Sequence, residues 1–247
     1  MRHLTLVAVA LLVVACGSPA PGGGSQARNT AIVAVDAPPG SVAEANWRRF
    51  GDNVGVWAPE VKLELRTGVD AGSPAQRVAA VQAGEVQLAM LPPEAAVSLV
   101  PELAVLSVPG LFASQEEADH VLDKLLLAAF RPLFSAQGLR LLDWIEDDWE
   151  DPAARRVYRS GVIVANKDWY DRLTPHDRDV FTQAYGSAGQ ARADSRAART
   201  AAGSVAPATD TGDAQAGDHA ALIAQAGGRS QQIYDLIQQG KRDFAAR

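Results

Sequence analysis

Residues 30–66 read TAIVAVDAPPGSVAEANWRRFGDNVGVWAPEVKLELR, and three kinds of pattern follow one another in them. Thr30–Val35 is an unbroken apolar run rich in β-branched side chains, the pattern of a buried strand. Ala37-Pro38-Pro39-Gly40-Ser41 is turn chemistry. Ala43, Trp47, Phe50, Val54 and Trp57 then recur at steps of three and four, one stripe of an amphipathic helix, with both tryptophans expected in the core. Val61, Leu63 and Leu65 alternate with Lys62, Glu64 and Arg66, as a half-exposed strand requires.

The same alternation continues toward the C-terminus. Ser73-Pro74 is an N-cap with proline at the first helical position, and it opens a helix that Gly84 ends. Val86–Met90 is a short strand, broken by Leu91-Pro92-Pro93-Glu94. Leu103–Val108 is expected to be a strand. Ser114 and Glu117 have capping-box spacing, and the stripe Ala118, Val121, Leu122, Leu125 and Ala129 follows. That helix should break if it passes Arg131-Pro132. Strands are expected at Leu139–Trp144 and Val157–Ala165, with a helix from Thr174-Pro175 to about Ala198. Strands alternating with helices predict an α/β fold, a sheet with helices on its faces.

Both ends of the chain read differently. Arg2 and His3 precede the apolar run Leu4–Ala15, which reads as a secretory signal. It is shorter than the roughly 20 residues of a membrane-spanning helix. Val13-Val14-Ala15-Cys16 resembles the bacterial lipobox, so Cys16 is the expected lipid-attachment site. Residues 16–29 form a Gly/Ser/Pro-rich tether. The α/β domain is assigned to residues 30–200. Residues 201–228 are low in large apolar residues and are expected to pack poorly, and residues 229–247 should form a docking helix with Ile233, Leu236, Ile237 and Phe244 on one side.

Composition excludes several classes. The 247 residues carry a net charge of -6, so a nucleic-acid partner is not expected. One cysteine allows no internal disulfide and no multi-cysteine metal site. The four histidines are scattered, without metal-ligand spacing. The acidic stretch from Asp143 to Asp151 lacks EF-hand spacing and reads as a solvated turn. The sequence shows no nucleophile elbow, P-loop or dinucleotide fingerprint. No catalytic residue, metal or cofactor is therefore assigned, and the chain is not read as an enzyme.

Several segments together resemble one family. They are Ala37–Ser41 after the first strand, "VAAVQAGEVQLAM" at Val78–Met90, "VPELAVLSVPGLF" at Val100–Phe112, "GLRLLDW" at Gly138–Trp144 and "VIVANKDWYDRLTPHDRDVF" at Val162–Phe181. In order and spacing they resemble a TRAP transporter solute-binding protein of the DctP type. Gly110 departs from the family's Pro-Phe-Leu-Phe run. The resemblance implies a periplasmic solute-binding-protein-like lobe with an open mixed sheet, a partner in membrane permease subunits, and a small organic acid as solute. Relative to the family, the sequence between Trp144 and Val157 is short. The run whose arginine pairs with the substrate carboxylate has no counterpart, and neither Arg155 nor Arg156 sits in such a motif. The expectation is thus a reduced second lobe and weakened capture by hinge closure.

Family and open-sheet geometry place any ligand beyond the carboxyl ends of the strands. The candidate binding residues are Asp36, Ala37 and Ser41 after the first strand, with Leu91 and Glu94 after Met90. Glu94 reads either as a contact for a polar or cationic solute or as a carboxylate favoured at a helix N-terminus. The expected location is the cell envelope, lipid-anchored and facing the periplasm. The alternative function is an envelope adaptor that keeps the lobe as a scaffold for a protein partner.

Overall fold

The computed structural model describes residues 30–146, 160–184 and 216–247. The signal, Cys16 and tether lie outside these residues, as do Trp149 and residues 185–215.

Five strands form one sheet in the order β2-β1-β3-β5-β4. β1 (Thr30–Val35) pairs in parallel with β2 (Lys62–Thr67) and β3 (Leu88–Leu91). β5 (Ser160–Asn166) runs antiparallel to both β3 and β4 (Leu139–Glu146). The α/β expectation with a mixed sheet is thus met.

The three central strands, β1, β3 and β5, are largely apolar on both sides because helices cover both faces. Ala31, Val33, Val35, Ile163 and Ala165 face α1 (Val42–Trp57), α6 (Lys167–Arg172) and α7, helical over 175–184. Phe50, Trp169 and Phe181 fill that layer. Ala34, Ala89, Leu91, Val162 and Val164 face the opposite layer. It is built by α2 (Pro74–Ala83), α3 (Pro93–Leu99), α4 (Gln115–Val121), α5 (Leu127–Ala136), α8 (Ala216–Ala226) and α9 (Ser230–Ala245). A register shift between Leu141 and Asp143 restores Trp144 to the side of Leu139 and Leu141. Trp144 then packs edge-on against Phe130 at 5.6 Å.

Several expectations are corrected. Leu103–Val108 is not a strand, because Pro101–Ser107 is a 3-10 helix. Pro101 presets its first turn, Leu103 N–H donates to Val100 O at 3.0 Å, and Leu103 and Leu106 bury one side at a three-residue spacing. Pro132 does not break its helix and lies inside α5. The irregularity comes earlier, as a π-turn over Leu122–Leu126, where Leu122 O also accepts Trp144 Nε1–H at 3.2 Å. Residues 216–226 are not a poorly packed segment. Alanine favours helix there, Ile223 is buried, and His219 Nε2 donates to Pro109 O at 2.9 Å. Trp57 is not core, since it ends α1 and is 45% exposed. Among the described residues no helix is long and apolar enough to cross a membrane.

Candidate ligand-binding site

β1, β2 and β3 are parallel, so the loops that follow them emerge at one edge of the sheet. That is the edge where open α/β sheets hold ligands. It collects all five candidate residues, together with the turn Gly68–Ala71 after β2.

The first loop is held rigidly. Ser41 N–H donates to Pro38 O at 3.0 Å and Gly40 has φ 77°, the Pro-Gly arrangement of a type II turn. Ser41 caps α1, its Oγ accepting Glu44 N–H at 3.1 Å. Glu44 reaches back to accept Gly40 N–H at 2.6 Å and the Arg48 guanidinium at 2.7 Å. The Gly40 amide above all, and then Arg48, hold the Glu44 carboxyl below the usual carboxylate range. Ala37 is fully buried beneath this loop, so its side chain belongs to the core. Asp36 is exposed.

The second loop begins at Leu91, whose side chain is also buried. Pro92 caps α3, and Glu94 sits exposed in the first turn. Gly161 on β5 passes so close that a Cβ there would lie 2.7 Å from Leu91 O. Ala37 and Leu91 therefore offer main chain to this edge, while Asp36, Ser41 and Glu94 offer polar side chains.

The residue that joins the loops is Arg77, which the sequence reading passed over. Its side chain is 1% exposed. Nη1 donates to Gly72 O at 2.7 Å, Nε to Met90 O at 3.0 Å, and Nη2 to Asp36 Oδ2 at 3.4 Å. Its signal was local: Arg77 stands one turn before Val81, on the apolar side of α2. A cation on such a stripe asks for buried acceptors. Among the described residues no three His, Cys, Asp or Glu side chains gather as a metal-ion group.

These hydroxyl, carboxylate and main-chain groups thus lie at the carboxyl edge of an open α/β sheet, where such folds hold ligands. Residues 58–159 match the model of DctP, bacterial extracellular solute-binding protein, family 7. That stretch is thus similar to the family that the sequence as a whole resembles.

Solved structures extend the likeness in fold. The sugar acid binding protein DctPAm from Advenella mimigardefordensis, in complex with galactonate, superposes with a TM-score of 0.65 at 15% identity. The match covers 85% of this chain and 98% of that one. A TRAP periplasmic solute-binding protein from Anaerococcus prevotii with bound glucuronate gives 0.69 at 13% identity, covering 87% and 99%. One from Polaromonas bound to D-erythronate gives 0.66 at 16% identity, covering 86% and 98%. Matches that span 98–99% of those chains give no support to a missing second lobe. No curated protein matches the sequence.

Proposed function

We propose that the chain is an extracytoplasmic solute-binding protein of TRAP type that takes a small hydroxylated carboxylate. In this reading Cys16 anchors it by lipid to the envelope, and it delivers its solute to membrane permease subunits. The observation that carries the reading is the family match over residues 58–159, which includes the turn after β2, Arg77 and the whole Leu91–Glu94 loop. Structures of the same fold hold galactonate, glucuronate and erythronate. Asp36 and Glu94 carry carboxylates that suit hydroxyl donors on such molecules.

The test is thermal unfolding of the chain lacking residues 1–16, with a panel of sugar acids, simple carboxylates and amino acids. A ligand at about 100 times its dissociation constant adds about 2.7 kcal/mol. For a chain of this size that raises the midpoint by about 5–10 °C. A sugar acid giving that shift supports the reading. A cooperative transition that no member of the panel moves refutes it and favours the adaptor alternative.

A further inference from the structure

We propose that Arg77 is the positioning residue of this ligand edge, fixing the Asp36 carboxylate so that its remaining lone pairs accept a hydroxyl hydrogen of the solute. The inference rests on the solute-binding reading above and names the group on this lobe that would recognise hydroxyls.

A buried guanidinium is costly unless every donor direction is used. Here it is used on three pieces of chain that are not neighbours in sequence. Gly72 follows the turn after β2, Met90 lies in β3, and Asp36 follows β1. A planar fork suits this task, because one rigid group sets three distances together. An apolar side chain would fill the same volume without the desolvation cost, but it would leave Gly72 O and Asp36 without this donor. Arg77 itself is sealed from solvent, so no ligand touches it. Asp36 is the outlet: its side chain is 57% exposed, and among the described residues Arg77 is its single partner. One carboxylate oxygen is thus engaged from below while the group remains open to solvent above.

The arrangement separates two effects that a merely structural arginine would not. Removing Asp36 should cost recognition of hydroxyls, together with some stability because the buried guanidinium loses its carboxylate. Removing Arg77 should cost the same recognition through Asp36, so the two losses should not add.

The experiment is calorimetric titration with D-galactonate and D-erythronate, each set against the acid of equal chain length without hydroxyls. It uses the parent, Asp36→Ala, Arg77→Met, Arg77→Lys and the double variant Asp36→Ala/Arg77→Met. The expected result is a preference for the hydroxylated acid that falls about tenfold or more in each single variant. The double variant should fall no further. Arg77→Lys should fail to rescue, since it keeps charge but not the fork. Hydrogen exchange, which needs no ligand, runs alongside. Amides of residues 36–45 and 94–97 should exchange faster in both Arg77 variants, while β4 keeps its protection.

Additive losses, full binding by Arg77→Met, or unchanged exchange in those loops would overturn the proposal. If Arg77→Met does not fold, Arg77→Lys and Asp36→Ala decide it by the same criteria. If the parent binds none of the acids, the solute reading falls, and the exchange data alone still judge the positioning role.

Discussion

Replacing Gly161 with alanine should cost stability, and the structure says how much. Gly161 lies on β5, next to the Leu91–Val162 pair of the β3–β5 ladder. Its φ is not in the positive range, so alanine faces no conformational barrier there. The obstacle is space, since the new Cβ would stand 2.7 Å from Leu91 O, a main-chain atom. Ordinary contact begins near 3.4 Å, so one strand must retreat by about 0.7 Å. Overpacking of this kind costs about 1–3 kcal/mol. For a chain of this length that lowers the thermal midpoint by about 2–12 °C.

Gly51 provides the opposite case. It lies inside α1, and a Cβ there would meet only Leu63 Cδ1 at 3.9 Å, an ordinary contact. Gly51→Ala should stabilise by about 0.5–1 kcal/mol. Circular dichroism melts of the parent and both variants, at one scan rate, form the assay. Gly161→Ala melting within about 1 °C of the parent, or both variants moving in the same direction, would refute the reasoning.

Three further outcomes are expected. Asp171 bonds to the Lys167 ammonium and to Arg140 Nη2 at 2.8 Å, and these partners, Lys167 first, hold its carboxyl below the ordinary value of 3.8. Its contribution is therefore present above that value and fades as pH falls through its lowered folded pKa. Asp171→Asn should lose less stability than the parent between pH 5 and pH 2, and parallel losses in chemical-denaturation curves would count against this. Ser73 Oγ accepts Gln76 N–H at 3.3 Å while Gln76 Oε1 accepts Ser73 N–H at 2.8 Å, a complete capping box. Ser73→Ala should cost about 1 kcal/mol in urea unfolding, with the slope unchanged. Gly240→Ala would place a Cβ 2.6 Å from Leu125 Cδ1 and 3.0 Å from Val121 Cγ2. It should loosen α9 from α4, read as faster amide exchange confined to residues 230–245.

What could be read from the chain depended on how local the cause was. α2 is written in full, because Ser73-Pro74 starts it and Gly84, with φ 77°, stops it within a few residues. β1 and α1 are legible for the same reason, since a period and a turn suffice. Pro101–Ser107 is not, because a six-residue apolar run fits a strand and a tight helix equally well until its packing is known. The face that α8 buries depends on Pro109, 110 residues from its partner His219. The candidate edge divides in the same way. Family pattern and sheet topology point to Asp36, Ser41 and Glu94, but the link between loops rests on Arg77. Its partners Met90 and Asp36 stand 13 and 41 residues away, a separation that no short motif records.

Glu146 and Ser160 face each other across the β4–β5 ladder. Whatever the chain does between them, it leaves and rejoins the sheet at adjacent points. Such a joint tolerates changes in the length of what it spans. Enlarging an excursion eightfold costs about 2 kcal/mol of closure entropy, since each doubling adds only about 0.6. The sheet on the near side needs no adjustment. A lobe fastened by two paired strands can therefore keep its core while the material beyond them grows, shrinks or is exchanged. A foreign domain grafted between Glu146 and Ser160 would enter and leave at that paired junction.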